Sequence, residues 1–84
     1  MVWELIFDEV IKRQLKKVED HALHSLVKKC FDDVEENGPM AGKLLDNHVR
    51  LFEWKMHHPP LRVYYTLLEN NQVLFLCFAL SSRL

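Results

Sequence analysis

With 84 residues, of which 49% are hydrophobic and 27% charged, the chain has the composition of one small globular domain, residues 1–84, and is neither disordered nor fibrous. A formal charge of -1 argues against a generic polyanion binder, because such domains usually carry a basic bias throughout. The longest apolar run, Val73 to Leu80, is strand length, so no membrane-spanning segment is expected.

The N-terminal stretch MVWELIFDEV carries acids where a secretory signal carries Lys or Arg, so no export is implied. Cys30 and Cys77 sit inside apolar patterns and not in a spaced framework; reduced, buried thiols in a cytoplasmic protein are expected. Charge is unevenly distributed. Residues 1–40 hold nine acids and six bases, whereas residues 41–84 hold three acids and five bases, with His48, His57 and His58 in addition. An anionic partner should therefore meet the second half.

In chain order, Val2 to Phe7 alternates as a short strand. Asp8 is placed to cap a first helix with Val10, Ile11, Leu15 and Val18 as its apolar stripe. After a break at Glu19-Asp20, Leu23, Leu26, Val27, Cys30, Phe31 and Val34 recur at helical spacing, and Asn37-Gly38-Pro39 ends that second helix. Each helix has one apolar side, so the pair is expected to lie on a sheet.

Met40 to Asn47 reads as a connecting loop. Val49 to Met56 then alternates, Phe52, Trp54 and Met56 facing the core, and His57-His58-Pro59-Pro60 ends the strand because prolines cannot donate to a ladder. Leu61 to Leu68 is the next strand, and Glu69-Asn70-Asn71-Gln72 supplies hairpin turn chemistry. Val73 to Leu80 is apolar at every position, so it is covered on both faces or sits inside the sheet. The first strand should add beside it. The fold expected is α+β, in the order β-α-α-β-β-β, with a four-stranded mixed sheet and a helical hairpin packed on one face.

This order, with the segments WELIFDEVIKRQLKKV, VEENGPMAGKLL, RLFEWKM, LRVYYTL and VLFLCFALSSR, resembles the RelE/ParE superfamily of toxins across nearly the whole chain. The similarity is nearest to its RelE/HigB-like, phage-associated branch. The resemblance implies the toxin of a type II toxin–antitoxin system, a ribosome-dependent mRNA endoribonuclease (mRNA interferase) that inhibits translation and is neutralised by a cognate antitoxin. It implies that Arg62 contacts the scissile phosphate and that Lys55 stands where many members carry an arginine. Departures are plain: Leu51 and Glu53 occupy positions where some members carry lysines, and the terminal acid or base residues of relatives are absent from Ala79-Leu80-Ser81-Ser82-Arg83-Leu84.

The chemistry of such cleavage needs a base for the 2′-OH, a cation for the phosphorane and an acid for the 5′-oxygen, with no obligatory metal or other cofactor. Arg62 offers bidentate donors to phosphate, with Tyr64 and Thr66 on the same strand face. The candidate catalytic residues are Arg62, Tyr64 and Arg83, and the candidate RNA-binding residues are Lys43, Lys55, His57 and His58. For Arg62 the alternative is a solvated charge or a pair with Glu53; for Tyr64, packing; for the two histidines, a turn. His21 and His24 lack further ligands for a metal, and Cys30 falls on an apolar stripe. Lys43 follows Gly42 without the full spacing of a phosphate loop.

The expected partners are the antitoxin, the ribosome and mRNA, with a homodimer as a further option and no membrane. Two other functions stand beside the nuclease: a non-catalytic, ParE-like or degenerate toxin acting on gyrase or binding the antitoxin only, and a bare dimerisation module.

Overall fold

The computed structural model describes residues 2–80. Its elements follow in the order β1 (Glu4–Phe7), α1 (Glu9–Lys17), α2 (His21–Asn37), a single 3₁₀ turn (Pro39–Ala41), β2 (Lys43–Asp46), β3 (Leu51–Met56), β4 (Leu61–Leu67) and β5 (Gln72–Leu80). The sheet order is β1-β5-β4-β3-β2. β1 runs parallel to β5, and every other neighbour is antiparallel.

Both helices start as their capping residues dictate. Asp8 accepts the Val10 N–H at 2.9 Å and Asp20 accepts the Ala22 N–H at 2.9 Å, each satisfying a donor that lacks a helical partner. α2 stops at Gly38, whose φ of 82° is a conformation that favours glycine. Space imposes the same choice, since a Cβ there would lie 2.7 Å from the Trp3 indole. Pro39 follows and cannot continue the helix.

The helices cover one face of the sheet. From that side Ile11, Val27, Cys30 and Val34 meet Phe52, Trp54, Leu61, Val63, Tyr65, Val73, Phe75 and Phe78, all buried. Burying each of the larger side chains contributes about 1.5–3 kcal/mol, offset by the entropy of ordering the chain. Phe7, Phe31 and Phe75 form an aromatic cluster, with centroids 4.9 Å apart for Phe7–Phe31 and 4.7 Å for Phe31–Phe75, both edge-on. Two polar contacts fix the register of this packing: Trp54 Nε1 donates to Asp33 at 2.9 Å, and the Tyr65 hydroxyl donates to the Pro39 carbonyl at 2.7 Å.

Two expectations need correction. The sheet has five strands and not four, because Lys43–Asp46, within the expected loop, pairs with β3. Four residues with adjacent leucines show no alternation, and only the partner strand makes this segment extended. Val10 does not belong to the buried stripe of α1; it is 47% exposed, while Ile11 is fully buried. Gln14 turns inward instead. Its side-chain amide donates to the Phe78 carbonyl at 2.8 Å and accepts the Phe78 N–H at 2.9 Å. It thereby completes an edge of β5 that β1 leaves open, since β1 pairs only as far as Phe7 opposite Phe75.

β5, apolar from Val73 to Leu80, lies inside the sheet, between β1 and β4. Val73, Phe75 and Phe78 face the helices, while Leu74, Leu76 and Cys77 are half-buried. A register shift between Tyr64 and Tyr65, where β4 meets β5, accommodates the change of facing along that strand.

Candidate functional site

The face turned away from the helices carries the charged residues, and cross-strand register decides which of them meet. Lys55 is opposite Arg62, and Glu53 is opposite Tyr64, all on the open side because Phe52, Trp54, Val63 and Tyr65 take the other. Lys43 on β2 is opposite Glu53, and Cys77 on β5 is opposite Tyr64. One row across the sheet thus reads Lys43, Glu53, Tyr64, Cys77. The adjoining row reads Lys55, Arg62, Ala79.

Arg62 and Glu53 lie diagonally across these rows, with guanidinium Nε 4.0 Å from the carboxylate. Their exposures differ: the Arg62 side chain is 41% exposed and that of Glu53 13%. The carboxylate is therefore held at the sheet while the guanidinium still reaches solvent. The Tyr64 phenol lies beside both. Burial pushes its pKa up first, Glu53 raises it further, and Arg62 opposes them, so the phenol keeps its proton. A cation, a carboxylate and a protonated hydroxyl converge at this point.

Arg62 is thus both partly solvated and paired with Glu53, the two alternatives left open by its position in the sequence. Glu53 itself was not among the candidate residues. Its signal was the alternation of LFEWKM, which puts it on the same face as Lys55, but its contacts depend on the register with β4.

The other candidates fall as follows. Lys55 is exposed beside Arg62, and Lys43 is exposed on β2, not in a loop. His57 and His58 are exposed in the turn that joins β3 to β4, at the Lys55–Arg62 end of the sheet. Thr66 is committed elsewhere: its hydroxyl donates to the Val49 carbonyl at 2.9 Å and pins the β2–β3 turn. Arg83 lies outside the described residues. Cys30 is fully buried, and its thiol is pushed far up in pKa by burial and then by Asp33, so it is a core side chain. His24 makes a 3.0 Å contact to the Val18 carbonyl between the helices.

A cleft of about 580 Å³ lies at the far end of the sheet, lined by His48, Arg50, Glu69 and Gln72 among others, and the Arg62 cluster is no part of its lining. The cluster occupies an open surface, which suits a polymer laid across it better than an enclosed small molecule. Among the described residues no helix is long and apolar enough to cross a membrane.

No protein-family model and no curated protein sequence matches the chain. Solved structures do. The intact E. coli RelBE toxin–antitoxin complex contains a chain that superposes with a TM-score of 0.70 at 21% identity, over 96% of this chain and 99% of that one. A mutant of the E. coli toxin RelE in the free state gives 0.78 at 20% identity, over 98% and 86%. The Mycobacterium tuberculosis RelBE2 toxin–antitoxin complex gives 0.78 at 20% identity, over 99% and 95%. The chain has the RelE fold, a two-helix layer on a mixed sheet.

Proposed function

We propose that this protein is the toxin of a type II toxin–antitoxin pair and cleaves mRNA, with the open face of the sheet as its RNA-binding surface. The observation that carries the reading is the convergence of Arg62, Glu53 and Tyr64 beside Lys55 on that face. The RelE fold supports it, as does the presence of an antitoxin in two of the structures that share it. The antitoxin is the expected partner, and translating ribosomes supply the substrate.

Each residue has a role in a metal-independent transesterification. Glu53 accepts the proton of the 2′-OH as that oxygen attacks phosphorus. Arg62 bonds to the phosphate oxygens as charge builds in the phosphorane. Tyr64, held protonated, gives its proton to the 5′-oxygen as the P–O5′ bond breaks, leaving a 2′,3′-cyclic phosphate and a 5′-hydroxyl. Lys55, Lys43, His57 and His58 hold the flanking backbone. Releasing Arg62 from its ion pair with Glu53 accompanies phosphate binding.

Induced synthesis should arrest growth and cut ribosome-bound mRNA, read by primer extension on programmed ribosomes. Arg62→Ala should lower the cleavage rate about 10²-fold or more, and Glu53→Gln about 10²- to 10⁴-fold, with circular dichroism unchanged in both. Intact mRNA together with a blocked topoisomerase would replace this reading with the ParE-like one, which the neutralisation of Arg62 by Glu53 favours.

A further inference from the structure

Seven large apolar side chains are exposed among the described residues, and four of them, Met40, Leu44, Leu45 and Val49, lie on or beside β2. That strand is the edge of the sheet, paired on one side only, and all four of its residues are exposed. An open strand edge with an apolar centre invites another strand. The sequence of this edge says which one.

β2 reads Lys43-Leu44-Leu45-Asp46. It carries a bulge: Leu44 is opposite Phe52 and Asp46 is opposite Leu51, which leaves Leu45 as the extra residue. In a regular strand Lys43 and Asp46, three apart, would point to opposite faces. Here both fall on the open face, because their partners Glu53 and Leu51 do. An antiparallel two-fold axis runs perpendicular to the sheet and leaves each face on its own side. Passed through the bulge, it sets Lys43 of each copy opposite Asp46 of the other on one shared face, and brings Leu44 of each copy beside Leu45 of the other along the edge.

We propose that β2 is the interface of a homodimer, in which two copies join edge to edge into one ten-stranded sheet. The bulge is what makes the edge its own complement, since without it the two ion pairs would be split between faces. A foreign strand would need to supply both charges in this order, whereas a second copy already does. The open faces of the two subunits then form one surface. A four-residue edge makes a small interface, so the dimer dissociates on dilution.

Sedimentation equilibrium over a concentration series tests this. The native protein should show a monomer–dimer equilibrium. K43D or D46K alone sets like charges together at both ends of the edge and should raise the dissociation constant about tenfold or more. An equimolar mixture of the two variants restores both opposite-charge pairs and should recover the native constant as a heterodimer. L45K, which leaves in place the turn where Asp46 accepts the His48 N–H at 2.8 Å, should abolish the dimer and covers the case in which D46K misfolds. A native protein that stays monomeric at every soluble concentration, single variants that dimerise as the native chain does, or a mixture that fails to associate would each overturn the proposal.

Discussion

A methyl group added at Gly42 has nowhere to go. It would collide with the Tyr65 hydroxyl and come within 2.6 Å of the Glu53 carbonyl oxygen, and neither can move freely. The Tyr65 oxygen is bonded to Pro39 in the core, and the carbonyl belongs to the β3 backbone. Gly42→Ala should therefore cost about 1–3 kcal/mol, as overpacking does, measured by urea unfolding. It should also disturb the strand that holds Glu53. Little of this was legible in the sequence, where Gly42 stood out only as the residue before Lys43; its neighbours at Glu53 and Tyr65 arrive through pairing. Arg62 differs, because strict alternation in LRVYYTL puts it opposite the buried Leu61, Val63 and Tyr65. Alternation is enough to place Arg62 on the open face, whereas the contacts of Glu53 depend on the register with β4.

Among the elements, α1 is secured to the sheet partly by one side chain. Gln14 satisfies both backbone groups of Phe78, so its amide behaves as a one-residue continuation of β1. Gln14→Leu keeps comparable bulk but strips both groups of their partner, which costs about 1–3 kcal/mol for each that stays dry. Hydrogen exchange at the Phe78 amide should quicken by a factor of ~10 or more, about 1.4 kcal/mol per factor of 10, while exchange at Val63 changes only with global stability. Unaltered exchange at Phe78 would mean that water replaces the amide without loss. A polar residue on the apolar side of a short helix reads in sequence as an interruption, and only the early end of β1 explains it. β2 was missed for the complementary reason: its strand character comes from β3.

Taken whole, the molecule keeps its titratable hydroxyl and thiol groups neutral. Burial raises the pKa of Cys30, Tyr64, Tyr65 and Cys77, furthest for the fully buried Cys30 and Tyr65. Each raised acid holds its proton in the folded state after the unfolded chain has lost it, so stability falls as pH rises above the ordinary values of 9.0 for cysteine and 10.0 for tyrosine. Below pH 8 these groups leave stability unchanged. Above pH 10, Cys30 and Tyr65 should each remove about 1.4 kcal/mol per pH unit, a loss that urea midpoints at pH 7, 9 and 10.5 would display. Tyr65→Phe should make the alkaline loss shallower. At this scale the sequence was most informative: one helical pair, an all-apolar last strand and a first strand that had to join it follow from periodicity alone.

That junction governs how the protein comes into being. β1 has a single strand neighbour, and it is β5, which begins at Gln72. While a nascent chain still lacks this segment, Leu5 and Phe7 have no ladder to join, and the helices have no Val73, Phe75 or Phe78 to settle against. The loop closed by this contact takes in every other helix and strand of the fold, so its entropic cost is met only once β5 is present. The first strand of the fold therefore waits, unpaired, until β5 has been made.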